Sequence, residues 1–337
     1  MSLAPGAKEY AEMLFAYRLG ERGLEEVVVD SGEDLPADAV WVDLHQPTFE
    51  EDRTAERFLG ASIPTREESE EIEYSSRFYA EDGAIFMTAS VLTGVEVGTP
   101  TLASFTVAVA DGKLATVRYD ELRALRQFVA RAQKPGSSCT STPAVFLGVV
   151  EAIVDRTADV LERISKDVDG INREVFSRQT EARQRGRELR GLIERIGIQG
   201  DLAAKARESL ASLERLVQYA GLALPPAYAK GAHRARLKLA ARDIRSLEDH
   251  VDFLSNKITF LLDAILGLIS VQQNEVISVL TVAATFFFPP TLIGTIYGMN
   301  FDVMPELHWT LGYPLAVGAM VLSALIPYIY FKRRGWI

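Results

Sequence analysis

Residues 276–301 have the sequence VISVLTVAATFFFPPTLIGTIYGMNF, and none of these 26 residues is charged. Residues 307–331, LHWTLGYPLAVGAMVLSALIPYIYF, form a second stretch of 25 without charge if His308 is counted as neutral. A helix needs about 20 apolar residues to cross the hydrocarbon of a bilayer. The alternative is a pair of helices buried in a protein core, but both stretches are too long and too free of charge for that. We therefore predict two membrane spans, roughly Val276–Tyr297 and Leu311–Phe331.

The residues after the second stretch indicate orientation. Lys332, Arg333 and Arg334 follow it directly, and cytoplasmic flanks of membrane helices carry an excess of basic residues. Two spans return the chain to its starting side. We therefore expect a multi-pass protein of the cell (inner) membrane, with both termini in the cytoplasm and the loop between the spans outside.

Upstream of the spans the sequence changes character twice. Segments rich in β-branched and aromatic residues (AVWVDLH at 39–45, AIFMTASVLTGV at 84–95, LASFTVAVA at 102–110) predict strands. TFEEDRTAERFLG at 48–60 and REESEEIEY at 66–74 predict helices. KPGSSCTSTP at 134–143 has the composition of a linker. The predicted architecture is an α/β (α+β) cytosolic domain at 1–140, a helical region at 141–275 and a two-helix membrane domain at 276–337.

The helical region contains a long apolar stripe that enters the first span. Its members recur at helical spacings: Leu237, Ile244, Leu247, Val251, Leu254, Ile258, Leu261, Ile265, Leu268 and Gln272. No proline interrupts it. If residues 232–297 form one helix, that helix is about 100 Å long at 1.5 Å per residue. A stripe of this length needs neighbouring helices to cover it.

Composition excludes several classes of function. The formal charge is −10, from 46 acidic and 36 basic residues, which disfavours a nucleic-acid partner. It is compatible with cations or with a merely solvated acidic surface. The sequence has no GxGxxG, P-loop, GxSxG or HExxH motif. Its four histidines do not form a metal-ligand spacing with Cys139, the single cysteine. We therefore expect that this protein is not an enzyme.

One face of the first span is more polar than the others. Two helices per chain are too few to surround a pore, so a pore would require several copies. The residues on this face recur at alternating spacings of three and four: Asn274, Ile277, Thr281, Ala284, Phe288, Thr291, Thr295 and Gly298. Small and hydroxyl side chains also suit helix–helix packing in membranes. The pattern alone therefore leaves helix packing and pore lining open.

The triplet Gly298-Met299-Asn300 lies at the outer end of this face. An amide offers a carbonyl acceptor and two donors without charge. Mg²⁺ releases its waters reluctantly, so a ring of Asn300 amides would bind those waters without removing them. Gly298 would let the backbone turn and approach closely. Asp302 and Glu306, in the outside loop, would raise the local concentration of cations.

The segment YGMNF at 297–301, followed by MPELHWTLGYP at 304–314, resembles the signature of the CorA family of divalent-cation transporters. The resemblance is closest over residues 242–337 and extends loosely to WVDLHQPTFEE and EYSSRFY upstream. It implies a funnel-shaped homopentamer whose long stalk helix continues into the pore. It also implies influx of hydrated Mg²⁺, with Co²⁺ and Ni²⁺ carried by many members, and favours pore lining over packing for the polar face.

The resemblance also assigns roles to residues. Gly298, Met299 and Asn300 would form the selectivity filter. The pore-lining positions would be Asn274, Ile277, Leu280, Ala284, Phe288 and Thr291. Family members sense cytosolic Mg²⁺ at acidic sites between protomers. Asp263 falls on one such position, and Asp82 in the turn Glu81-Asp82 is a weaker candidate. A solvated stalk residue remains the alternative for Asp263.

The main alternative is a related Zn²⁺ transporter of the ZntB type, with proton coupling as an option. Those relatives usually vary the middle of the G-M-N triplet and the loop after it, whereas GMN and MPEL here fit the Mg²⁺ group. A non-conducting membrane scaffold is a further alternative. A divalent ion moving down an inside-negative potential of 100 mV releases roughly twice 2.3 kcal/mol. Passive influx is therefore the simplest expectation.

Overall fold

The computed structural model describes residues 13–21, 23–28, 35–176, 182–300 and 304–334. These residues divide into two compact units. The first comprises the described residues of Met1–Ser177 and Leu192–Leu261, and the second those of Arg178–Gly191 and Leu262–Ile337. The predicted combination of an α/β domain, a long helix and two helices able to cross a membrane is confirmed.

The first unit is built on a seven-stranded sheet. Its strands are β1 (Met13–Gly20), β2 (Gly23–Val27), β3 (Ala39–His45), β4 (Phe78–Glu81), β5 (Ala84–Thr93), β6 (Thr101–Ala110) and β7 (Lys113–Arg118). Their spatial order is β2-β1-β3-β7-β6-β5-β4. Within the described part of this sheet β3 and β7 are parallel, and the other neighbours are antiparallel. The three predicted strands correspond to β3, β5 and β6.

Among the residues that the structure describes, four short helices accompany the sheet: α1 (Phe49–Leu59), α2 (Arg66–Glu70), α3 (Tyr74–Arg77) and α4 (Arg123–Ala132). Helices α1 and α2 both begin with a capping box, formed by Thr48 with Glu51 and by Thr65 with Glu68. The prediction of one helix over 66–74 was wrong in extent, because α2 ends at Glu70. The chain is extended at Glu71, whose carbonyl accepts a hydrogen bond from Arg77 Nε.

A buried polar network joins the two parallel strands. Trp41 Nε1 donates to Thr116 Oγ1 at 3.1 Å, and Thr116 donates to Asp43 Oδ1 at 2.6 Å. Arg118 lies 3.0 Å from Asp43 Oδ2 and completes the set. Each donor and acceptor in this network has a partner, which is the condition for burying charge without a large penalty. Neighbouring His45 is also buried, and burial followed by the charge of Arg118 lowers its pKa.

Helix α1 contains a buried carboxyl group whose charge is not compensated. Asp52 Oδ1 is buried and has no hydrogen-bond partner among the described residues. Burial, reinforced by the charges of Glu56 and Glu51, raises the pKa of Asp52 to about 6. Folding therefore penalises the charged form of this carboxyl relative to the unfolded chain, although that form still predominates at neutral pH.

Helices dominate the rest of the chain. They are α5 (Thr142–Phe176), α6 (Ala182–Ala223), the single turn α7 (Pro226–Ala229) and α8 (Gly231–Tyr297). Helix α5 has Pro143 in its first turn, a position that proline suits because the missing N–H has no partner there in any case. The predicted long helix is α8, and it continues through Pro289 and Pro290. Its stripe is buried in the first unit at Leu237, Ile244, Val251, Leu254, Ile258 and Leu261.

Ion pairs accompany the packing of α8 on the two preceding long helices. Arg236 forms a two-point bond with Glu151 of α5, at 2.9 and 2.7 Å. Arg245 lies 2.9 Å from Glu214 of α6. Lys257 bonds to Asp169 of α5. These pairs are largely at the surface and add little stability individually, so the apolar stripe supplies most of the packing energy.

Helix α6 also covers an edge of the sheet. Strand β4 pairs only with Ala84–Met87 of β5, so the second half of β5 extends beyond its neighbour. The Ser90 backbone N–H donates to Ser212 Oγ at 2.8 Å, and the Leu92 N–H donates to Ser209 Oγ at 3.2 Å. Both serines belong to α6 and are buried. The serine hydroxyls of α6 thus accept hydrogen bonds from β5 N–H groups that would otherwise need the carbonyls of a neighbouring strand.

In the second unit, a 3-10 turn (Pro305–His308) precedes α9 (Gly312–Arg334). The rings of Phe286 and Tyr328 lie 6.2 Å apart. A Cβ placed on Gly294 would lie 3.4 Å from Met320 Cε. Gly294 lies eight residues after Phe286 on α8, whereas Met320 lies eight residues before Tyr328 on α9. Helices α8 and α9 are therefore antiparallel, and the same register places Arg334 level with Leu280.

Candidate ion-conduction site

The predicted selectivity triplet lies immediately after the last turn of α8. The helix ends at Tyr297. The Gly298 N–H donates to the carbonyls of Gly294 and Thr295, at 3.0 and 3.2 Å, and the Met299 N–H donates to the Ile296 carbonyl at 3.3 Å. These bonds fix the backbone of the triplet to the helix end. Asn300 follows directly as an exposed residue.

Of the two roles expected for Gly298, a close approach of the backbone fits the structure and a backbone reversal does not. Its φ is not in the left-handed region, unlike that of Gly60 or Gly83. A Cβ at Gly298 would lie 3.2 Å from the Gly294 carbonyl oxygen. That contact is tighter than most side chains accept. Glycine is therefore favoured here by the close approach of the helix end, and no backbone reversal at this residue requires it.

The predicted pore-lining residues all lie on α8. Five of them are exposed in the chain and Ala284 is half-buried; the exposed ones are Asn274, Ile277, Leu280, Phe288 and Thr291. Exposure alone does not distinguish this face, because Val276, Val279 and Phe287 are exposed too. The direction of α9 does distinguish it. Phe286 and Gly294 face α9, and at 100° per residue their mean direction is about 140° from the predicted face.

The threonines of this face have their hydroxyl hydrogens engaged. Thr281 Oγ1 donates to the Ile277 carbonyl at 2.8 Å, Thr291 Oγ1 to Phe287 at 2.6 Å, and Thr295 Oγ1 to Thr291 at 2.8 Å. A hydroxyl has one donor and two acceptor lone pairs. Each threonine therefore offers only acceptors to whatever lies outside the helix. Coordinated water of a cation donates hydrogen bonds, so this polarity suits a hydrated cation.

The predicted acidic residues are not gathered in one chain. Asp82 is exposed in the turn between β4 and β5, with φ of 50°, and Asp263 is exposed on α8. Among the residues that the structure describes, no three His, Cys, Asp or Glu side chains could hold a metal ion together. Asp302 lies outside the described residues. Glu306 lies in the 3-10 turn, with its side chain outside the described part.

One feature at the other end of the hairpin was not predicted from sequence. Lys332 Nζ lies 5.7 Å from the centre of the Tyr328 ring, and Arg334 Cζ lies 5.6 Å from that of Tyr330. The basic residues were assigned only to orientation. The spacing of four between each tyrosine and its cation was the available signal, because residues four apart are neighbours on a helix.

Comparison with known proteins gives a consistent result. A family model described as CorA-like Mg²⁺ transporter protein matches residues 36–333. The magnesium transport protein CorA of Yersinia pestis is 32% identical over 328 residues, covering 96% of this chain and all of the relative. Those of Pasteurella multocida and Salmonella typhimurium are each 34% identical, over 327 and 328 residues, with the same coverage.

Solved structures agree in fold. The CorA magnesium transporter of Methanocaldococcus jannaschii superposes with a TM-score of 0.75 at 19% identity, covering 96% of this chain and 99% of that one. The full-length CmaX protein gives 0.63 at 15%, covering 97% and 99%. The ZntB cytoplasmic domain of Vibrio parahaemolyticus gives 0.56 at 10%, covering 77% and 98%. At these identities the likeness is evidence of fold alone.

Proposed function

Because the chain belongs to the CorA family of Mg²⁺ transporters, which are not enzymes, we propose that five copies form a homopentamer whose α8 helices enclose a passive pore for divalent cations. The cargo is hydrated Mg²⁺, with Co²⁺ and Ni²⁺ as further ions. The protein lies in the cell inner membrane with both termini in the cytoplasm, surrounded by lipid. The membrane potential drives influx.

The direction of the polar face of α8 carries this proposal. The face points about 140° away from the side that contacts α9, so packing within the hairpin does not account for it. A polar stripe of a membrane helix needs either other polar partners or water. A central aqueous pore surrounded by copies of α8 supplies water to this face, and leaves α9 on the outside.

Asn300 acts as the outer selectivity residue in this proposal. It follows the end of α8 and is exposed, so five copies would form a ring of neutral amides at the pore mouth, together with Gly298 and Met299. The amide oxygens accept hydrogen bonds from the waters of Mg²⁺ and leave its inner shell intact. Neutral acceptors bind weakly enough for the ion to leave, which conduction requires. Asp302 and Glu306 attract cations to this mouth.

Below the mouth, the pore alternates between acceptors and apolar rings. Thr291 supplies lone pairs, and Ala284 leaves space. Ile277, Leu280 and Phe288 are bulky, and Ile277 and Phe288 are 60% and 73% exposed on a single chain. Rings of such side chains can close a pore by expelling water from it. Asn274 would terminate the pore on the inner side.

Closure is controlled by cytosolic Mg²⁺ in this proposal. Asp263 and Asp82 are exposed carboxylates without a ligand cluster in the described part of one chain. A bound Mg²⁺ would therefore be shared with groups of a neighbouring protomer. Carboxylates repel one another when no cation lies between them, so bound Mg²⁺ favours the closed assembly by its differential affinity for that state.

Ion flux by the purified protein in liposomes tests this function. Uptake of Mg²⁺, Co²⁺, Ni²⁺ and Zn²⁺ is compared with and without a proton gradient, at a fixed inside-negative potential. We expect uptake of Mg²⁺ that follows the potential and ignores the proton gradient. Uptake of Zn²⁺ that requires the proton gradient would instead favour a ZntB-like transporter. The cytoplasmic domain of a ZntB protein shares the fold of this chain, so the fold is compatible with that alternative. Native mass spectrometry tests the pentamer, and a dimer as the largest intact species would contradict it.

A further inference from the structure

A recess lies between the sheet and helix α4 in the first unit. Its volume is about 210 Å³, well above what a single water molecule needs. Phe15 and Tyr17 of β1 supply aromatic walls on the sheet side, and Leu125 and Val129 of α4 supply aliphatic walls on the helix side. Tyr17 and Leu125 are buried. The recess therefore has apolar walls, as binding sites for small molecules usually have.

The recess lies at the carboxyl ends of the two parallel strands. His45 ends β3, Arg118 ends β7, and the two residues are partners in the register. The helices that follow these strands lie on opposite faces of the sheet. Helix α1 packs on the face that carries Val42, whereas Phe128 of α4 contacts Trp41 on the other face. Where neighbouring parallel strands send their connections to opposite faces, a crevice forms at their carboxyl ends, and ligands of open α/β sheets bind in such crevices.

The polar atom that this recess offers to a ligand is His45 Nε2. This atom is buried and has no hydrogen bond to another described residue, and only 4% of His45 is exposed. Burial, followed by the charge of Arg118, lowers the pKa of His45, so its imidazole is neutral at pH 7. A nitrogen of a neutral imidazole donates or accepts one hydrogen bond, according to the tautomer. Because an unpaired buried polar atom is costly, a ligand that bonds to Nε2 is favoured.

The charges around the recess favour an uncharged ligand. Arg118 lies 3.0 Å from Asp43, and the two side chains neutralise each other inside the recess. At the rim, Arg126 lies 3.4 Å from Glu121, and Glu26 adds a further exposed carboxylate. An anion would therefore meet a rim with net negative charge. A cation would have to lose its hydration next to the guanidinium of Arg118.

We propose that this recess, bounded by β1, β3, β7 and α4, binds a small uncharged aromatic molecule that forms a hydrogen bond with His45 Nε2. The rings of Phe15 and Tyr17 contact the ring of the ligand, because pairs of aromatic rings gain more than their buried area alone provides. The site belongs to the sheet of the first unit. It does not depend on the proposed pore or on which cation is transported.

The test is saturation-transfer NMR of benzamide with the full-length protein in lipid nanodiscs, with empty nanodiscs as the reference. The amide of benzamide can donate or accept, so it can pair with Nε2 in either tautomer. We expect saturable binding with a Kd of about 1 mM, which is typical of a ligand of this size. Benzoate has nearly the same shape and carries a negative charge. It should bind at least about 10-fold more weakly, because its charge must lose water without a partner.

Three variants and one control locate the binding. His45→Phe keeps a ring, removes the hydrogen bond and should weaken benzamide binding about fivefold. His45→Gln keeps a donor and an acceptor, so its affinity should stay within about twofold of the wild type. Val129→Trp fills the recess from α4 and should abolish binding. The control is His250→Phe, which changes a histidine of α8 that stacks on Phe253 and should bind benzamide like the wild type.

Three results would overturn the proposal. Equal binding by the wild type, His45→Phe and Val129→Trp would mean that benzamide lies elsewhere on the protein. Tighter binding of benzoate than of benzamide would identify the recess as an anion site. Saturation transfer no larger than that of empty nanodiscs would mean that water alone fills the recess and pairs with Nε2.

Discussion

Replacing Thr291 with valine should lower Mg²⁺ flux about 30-fold and leave assembly intact. The hydroxyl hydrogen of Thr291 is bonded to the Phe287 carbonyl at 2.6 Å, so the side chain contributes only an acceptor to the proposed pore. Valine has nearly the same shape and no acceptor. One hydrogen bond contributes about 1 kcal/mol. If two of five threonines contact the waters of a passing ion, the barrier rises by about 2 kcal/mol, which is roughly 30-fold in rate.

The assay is Mg²⁺ entry into liposomes, followed with a Mg²⁺-sensitive dye at a fixed potential. Thr291→Ser keeps the acceptor and should conduct within about threefold of the wild type. Thr285→Val is the matched control, because Thr285 forms the same backbone bond to Thr281 at 2.8 Å but points about 80° away from the predicted face. Wild-type flux through Thr291→Val, or an equal loss in Thr285→Val, would refute the role of the threonine acceptors.

Three further predictions concern other parts of the chain. Asn300→Ala should nearly abolish Mg²⁺ uptake, since alanine offers no acceptor at the pore mouth; normal flux through an intact assembly would remove Asn300 from the filter. Asp263→Ala should raise the internal Mg²⁺ concentration that gives half-inhibition of flux, and an unchanged value would mean that Asp263 is only a solvated helix residue. Asp52→Asn should stabilise the first unit at pH 7.5 by about 1 kcal/mol, after allowance for solvent screening. The carboxyl penalty is present above a folded pKa of about 6 and disappears as pH falls towards the ordinary value of 3.8. The gain in melting temperature, about 2–4 °C, should therefore be smaller at pH 5, and a gain that is independent of pH would contradict this cause.

Local patterns in the sequence predicted the elements that depend on local physics. The stripe from Leu237 to Ile265 recurs at helical spacing without a breaker, and α8 follows from it. The uncharged stretches have the length of membrane spans, and two suitable helices are present. The helix over 66–74 was overestimated because five glutamates repel one another there, and because Arg77 engages the Glu71 carbonyl.

Features that depend on distant residues were not predictable from these patterns. The pairing of Asp43 with Arg118 requires β3 and β7 to be parallel neighbours, although the two residues are 75 positions apart. The acceptor character of Thr291 depends on a rotamer that the sequence does not specify. The direction of α9 relative to the polar face emerged only from its contacts with Phe286 and Gly294.

The serines that cover β5 have a consequence for synthesis of the chain. Ser212 lies 122 residues after the backbone group that it satisfies, and Ser209 lies 117 residues after its own. At about 5–20 residues per second, a ribosome needs roughly 6 to 24 s to add that length. During this interval the nascent sheet has an uncovered edge, which other strands can pair with. Slower translation between β5 and α6 should therefore increase the dependence of this protein on chaperones while its membrane segments are still unmade.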